Sequence, residues 1–225
     1  MESIILAIET ATPACSAALL IGNRVFERFE IAPKAHADVI LPMITALLNE
    51  AAIDLRAIKA IAVGQGPGSF TGLRIAMSVA QGLAYGLQLP VYPISTLAAL
   101  AYQAFVQLQF PSQTVVMPLL DARMQEVYAA AYGWHNNELI TLQREHLCSP
   151  QALNLDFGQQ RVLAIGSGWE TLIQKPHCEF LADCFPQAKD IALLAQQQIA
   201  AGNKGMDAQQ VLPLYVRDKV AEPSR

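Results

Sequence analysis

"SIILAIETATPACSAALLIGNRVFERFEI", Ser3 to Ile31, reads as three strands in succession, "SIILAIET", "CSAALLI" and "RVFERFEI", separated by short turns. The first is a continuous apolar run, which suits a central strand covered on both faces. "HADVILPMITALLNEAA" follows, with Ile40, Leu41, Ile44, Leu47, Leu48 and Ala51 at helical spacing; Pro42 either kinks this helix or marks its effective start. Next come strand "IKAIAVG", a helix behind a glycine-rich loop, strand "PVYPI" and helix "STLAALAYQAFVQ". Three strands are thus followed by alternating helix and strand.

The same order returns after "LQFPSQ", the best boundary on composition. "TVVMPLLDAR", "EVYAAAYGW" and "ELITLQREHL" read as strands, then helix "SPQALNL", strand "RVLAIGS", a short helix from Gly168 and helix "QAKDIALLAQQQIAAG". No residue-level repeat accompanies the repeated order. The expectation is an α/β protein of two similar lobes, residues 1–108 and 109–225, facing each other across a cleft, the last residues packing back on the first lobe.

With 53% hydrophobic and 15% charged residues, the 225-residue chain can bury a large core and has no segment of disordered composition. "MESIILAIETATPACS" lacks a basic start and meets Glu9 early, which predicts neither signal peptide nor membrane span and a cytoplasmic protein. Four cysteines without a CxxC pair predict free thiols. A net charge of -4, with no basic cluster, argues against a nucleic-acid footprint of the chain's own.

Two carboxylates end first strands: Glu9 in the first half and Asp121 in the second. Facing a cleft, such a pair would hold magnesium and phosphates; otherwise each caps its own turn, with Arg123 neutralising Asp121. The loop "GQGPGSFTG" resembles a phosphate cradle, yet a Walker loop is excluded because no lysine lies between Lys59 and Lys175. Gly66, Gly68 and Gly72 are spaced one residue too widely for the dinucleotide fingerprint. The preferred reading is structural: Gly66, Pro67 and Gly68 turn the chain, Ser69 or Thr71 caps the helix, and Gly72 permits a close approach to the sheet. The helix start remains a weak anion site. Gly166 and Gly168 in "AIGSGWE" read as a turn or as a contact to adenine or ribose. His36, His135, His146 and His177 form neither HExxH nor HxxxH, so no metal site follows. No serine or cysteine stands in a nucleophile motif.

Winding the helix behind the loop puts Gly72, Ile75, Ala76, Val79, Leu83 and Gly86 inward and Phe70, Arg74, Met77, Ser78, Gln81 and Tyr85 outward. On the preceding helix, Val39, Met43 and Ala46 flank the core stripe beside His36 and Glu50. Two neighbouring helices with apolar outer faces suggest a partner-binding patch. On this reading Met77→Arg leaves a folded monomer that has lost its partner.

"AIETATPACSAAL", "HADVILPMI", "GQGPGSFTGLRIAMSVAQGLA", "LLDARMQEVYAA" and "LPLYVRDKVA" resemble the TsaB family of bacterial proteins, required for threonylcarbamoyl-adenosine modification of transfer RNA. The resemblance runs from the first strand to the last ten residues. It implies an actin, Hsp70 and sugar-kinase type fold (RNase H-like lobes) and a noncatalytic scaffold. It also implies partnership with the TsaD paralogue that performs the transfer and with the ATPase TsaE. The chain would pair with itself when alone and meet transfer RNA only through the complex. No cofactor is implied beyond weak adenine nucleotide affinity in a vestigial cleft. The alternative is an ATP-dependent small-molecule phosphotransferase of the same fold.

Overall fold

The computed structural model describes residues 3–168 and 178–217. Strand β1 (Ile4–Glu9) lies at the centre of the first sheet because every residue after Ile4 is buried. It pairs antiparallel with β2 (Ala14–Ile21), which pairs antiparallel with β3 (Arg24–Ile31). On its other side run parallel β4 (Ala60–Gly66) and β5 (Val91–Ser95), giving the order β3-β2-β1-β4-β5. The second sheet contains β6 (Val115–Asp121), β7 (Val127–His135), β8 (Glu138–Cys148), β9 (Val162–Ile165) and β10 (Glu179–Leu181) in the order β10-β9-β6-β7-β8. The first three strands of each sheet are antiparallel neighbours and the last two parallel additions, so the repeated order in the sequence is a repeated topology.

Alternation along β1 separates two cores. Leu6 and Ile8 face helices α1 (His36–Ala51) and α2 (Phe70–Leu87). Ile5 and Ala7 face the opposite side, where α3 (Thr96–Tyr102) and α4 (Ala188–Ala200) lie. Helix α3, continued by a π-helical turn over Gln103–Gln107, also packs on β6, β7 and β8, while α4 packs on β1 and β2. Each half therefore lends a helix to the layer between the sheets. Trp134 of β7 closes that layer, stacked on Phe105 at 5.2 Å and edge-on to Tyr102 at 5.8 Å.

The outer face of the second sheet departs from expectation. "SPQALNL" makes only a 3-10 turn at Pro150–Ala152. Seven residues are short for a helix nucleus, and Asn154 and Asp156 accept hydrogen bonds from the backbone N–H groups of Asp156 and Gly158. Leu153, Leu155 and Phe157 then alternate along an extended segment against the sheet. Strand β10 was not foreseen, and the short helix expected from Gly168 lies outside the described residues. Pro42 neither starts nor ends α1, which runs through it.

Candidate functional site

Glu9 does not face a cleft. Its side chain is wholly buried at the end of β1, where Oε1 accepts the Ala11 N–H at 2.6 Å and Oε2 accepts the Thr96 hydroxyl at 3.0 Å. Gly64 on β4 makes room for it, because a Cβ there would collide with the carboxyl. Burial pushes the Glu9 carboxyl up to about 7, against hydrogen bonds that pull the other way. Asp121 is part-exposed and occupied locally: it accepts the Arg123 N–H at 2.8 Å and pairs with the Arg123 guanidinium at 3.0 Å. Gly166 and Gly168 are glycines for close packing, since a Cβ on either would lie 2.5 to 2.8 Å from the backbone of Leu119 or Leu120. Each residue assigned to a nucleotide cleft therefore has an internal structural job.

The β4–α2 loop sits on the β1–β2 turn. Ser69 donates its N–H to Ala11 O at 2.7 Å, and its hydroxyl accepts from the Gly72 N–H at 3.3 Å, capping α2. A Cβ at Gly68 would come 2.5 Å from Ala11 O, and one at Gly72 would strike the Thr10 carbonyl. The Thr10 hydroxyl donates to Gly72 O at 2.7 Å. Gly72 thus meets the turn that follows β1, one step beyond the strand itself. Gly72→Leu is expected to cost about 3 kcal/mol, because fixed backbone must move. A denaturant titration that returned native stability, with only a ligand lost, would overturn this and revive the phosphate reading.

The outward faces of α1 and α2 differ from the helical wheel. Met77 is only 3% exposed and Met43 is buried, both among Leu6, Ile8 and Ile61. His36 is also buried, its Nε2–H directed to Thr12 O at 2.8 Å. These three do not belong to an exposed patch. The buried stripe of α2 is Gly72, Leu73, Ala76, Met77, Ala80 and Ala84, about a quarter turn from the predicted one on a 100° wheel. Ile75, Val79 and Leu83, assigned inward, form a half-buried flank instead. Val39, Ala46 and Gln81 are also half-buried, whereas Phe70, Arg74 and Tyr85 are exposed as expected. The wheel missed Leu41, which is 51% exposed although it was placed in the core stripe.

Between the helices runs a groove of about 430 Å³, lined by Ala37, Ile40, Phe70, Thr71, Arg74, Ile75, Ser78 and Val79. Leu41 and Tyr85, the latter 70% exposed, add apolar surface on the two helices. Gly82 and Gly86 continue the Ser78 row at helical spacing, and a Cβ on either would meet open space. Glycine in a helix costs about 1 kcal/mol relative to alanine, and here none of the described residues comes close enough to require it.

Two Pseudomonas aeruginosa structures superpose over nearly the whole chain. One is described as an uncharacterized protein with similarity to peptidase YEAZ: 40% identity, TM-score 0.88, 96% of this chain and 100% of that one. The other is YeaZ, with 39% identity, TM-score 0.87 and 95% and 99% coverage. The family described as "TsaD: tRNA N6-adenosine threonylcarbamoyltransferase" matches residues 28–224. The Escherichia coli (strain K12) tRNA threonylcarbamoyladenosine biosynthesis protein TsaB is 37% identical over 96% of each chain. The chain belongs to the TsaB family. A TsaB from Haemophilus influenzae is 34% identical over 96% of this chain and 94% of its own. The fold is accordingly the two-lobed actin, Hsp70 and sugar-kinase type that the sequence resemblance implied. Among the described residues, no group of three His, Cys, Asp or Glu is placed to hold a metal ion, and no helix is long and apolar enough to cross a membrane.

Proposed function

We propose that this chain is a noncatalytic subunit of the machinery that forms threonylcarbamoyladenosine in transfer RNA. It docks a TsaD-type transferase through the outer faces of α1 and α2. The observation that carries the reading is that face: a largely apolar groove between the two helices, exposed Leu41 and Tyr85 on them, and glycines at 82 and 86 whose Cβ positions look onto open space. The two strand-end carboxylates support it from the other side, Glu9 being buried in its own hydrogen bonds and Asp121 paired with Arg123. The chain would work in the cytoplasm with the ATPase TsaE, pair with itself through the same face when alone, and meet transfer RNA only within the complex.

Light scattering of the purified chain mixed with its cognate TsaD-type paralogue tests this. Leu41→Arg and Tyr85→Arg should each weaken the complex by at least about tenfold while leaving the melting temperature within a few degrees. Native affinity in both variants would show that another surface binds the partner. A nucleotide titration with and without magnesium separates this reading from a phosphotransferase, which needs both.

A further inference from the structure

The last described segment, Val211–Arg217, has no regular secondary structure yet is fastened along its length. Val211 O accepts the Gln81 side-chain amide at 2.9 Å, and Leu214 donates its N–H to Gln65 O at 2.7 Å. Arg217 reaches the second half of the chain, donating to Ala122 O at 3.0 Å and pairing with Glu126 at 2.6 Å. Between these anchors Tyr215 lies on the first turns of α2. Its ring centroid is 5.6 Å from that of Phe70, and its hydroxyl accepts from Arg74 Nε at 3.2 Å. The Arg74 guanidinium stands 3.7 Å over the Phe70 ring.

Arg74 is thus held in place by two aromatic side chains, and none of the ion pairs among the described residues includes it. It also lies near the positive end of α2, whose first turn has no acidic residue. No carboxylate among the described residues therefore compensates its charge. Phe70 and Arg74 line the α1–α2 groove, and Tyr215 is itself exposed. A guanidinium flattened on an aromatic ring, with Nε given to the Tyr215 hydroxyl, still presents its two terminal NH2 groups to a carboxylate. Arginine and tyrosine beside an apolar pocket are also the side chains on which binding energy concentrates.

We propose that Val211–Arg217 is part of the docking face: it seats Tyr215 against Phe70 and Arg74, so that Arg74 receives a carboxylate carried on a helix of the docked TsaD-type partner. This rests on the α1–α2 face being the docking face. The tail then ties the partner-bearing helix of the first half to the β6–β7 turn of the second through one short strap.

The test is titration calorimetry of the full chain against its cognate TsaD-type paralogue at two salt concentrations, with melting temperatures taken in parallel. Arg74→Gln should weaken binding about tenfold or more and flatten its salt dependence, as loss of an interfacial charge pair does. Arg74→Lys should keep the salt dependence but only part of the affinity. Tyr215→Ala should weaken binding without changing the melting temperature by more than a few degrees. If Arg74→Gln binds with native affinity and native salt dependence while Leu41→Arg still abolishes binding, the arginine proposal falls and the docking face stands. If affinity drops but the salt dependence does not change, the carboxylate is the wrong occupant. If Leu41→Arg and Tyr85→Arg also bind normally, the docking face itself is misplaced.

Discussion

Met77→Arg is expected to destabilise the fold strongly. At 3% exposure the side chain sits among Leu6, Ile8, Ile61 and Ala80 on the sheet side of α2. The core cluster to which it belongs is built of apolar side chains. Burying an unpaired charge costs about 3–5 kcal/mol, which for a domain of this size lowers the melting temperature by roughly 6–20 °C. Tyr85→Arg on the same helix is 70% exposed and should melt close to the native protein. Thermal unfolding of the two variants side by side distinguishes a core position from a surface one. A Met77→Arg protein that melts normally and has merely lost its partner would restore the outward placement that the helical wheel gave.

The misplacement has a physical cause. A wheel assumes one apolar arc, whereas α2 carries two: Ala76, Met77, Ala80 and Ala84 against the sheet, and Ile75, Val79 and Leu83 beside them. The bulkier arc looked like the core. In fact the smaller one touches the sheet, because small side chains let the helix lie close to it. Single-helix periodicity does not record which neighbour each arc meets. On α1 the same limit hid Leu41 and promoted His36 and Met43 to the surface.

Strands were more legible, since continuous apolar runs such as Ile4–Ile8 leave little choice of environment, and their repeated order yielded both sheets. Two features escaped for want of a local signal. Strand β10 has three residues, below any useful period. The alternation of Leu153, Leu155 and Phe157 is a strand-like pattern that begins inside the segment read as a helix, Ser149 to Leu155, and runs past its end. At the site, the glycine loop was legible as structure because its spacing fits no phosphate motif. The burial of Glu9 was not, because it depends on Gly64, which reaches it only through the pairing of β1 with β4. Likewise, Tyr215 was visible in the terminal motif, but its seat on Phe70 and Arg74 joins residues more than 140 apart along the chain.

Stability should fall as pH rises from about 5 to 8, chiefly through Glu9 and Asp190, with the Glu27 carboxyl, also pushed up by burial, acting in the same direction. Glu9 and Asp190 are both pushed up to about 7, in each case chiefly by burial. For Asp190 the neighbouring Lys189 and the Gln107 amide pull down, while Glu27 pushes up. An unfolded carboxyl releases its proton near pH 4, so between about pH 4 and 7 the folded chain holds more protons than the unfolded one. Stability is then fully present below the unfolded value and is lost as pH climbs through the folded value. Each group contributes roughly 2–4 kcal/mol across that window. The geometry around Asp190 agrees with a held proton. Oδ1 accepts the Gln107 amide at 3.3 Å, while Oδ2 and the buried Gln103 and Gln187 side-chain oxygens have no hydrogen-bond partner among the described residues. A protonated Oδ2 would be a donor rather than a buried, partnerless charged acceptor. Asn at 190 and Gln at 9 are uncharged and close in shape to the protonated acids. The double variant Glu9→Gln, Asp190→Asn should therefore flatten the melting profile between pH 5 and 8 and be the more stable protein at pH 8. A native profile that is already flat over that range, or a double variant less stable than the native chain at pH 8, would mean that both carboxylates are ionised in the fold and held by hydrogen bonds alone.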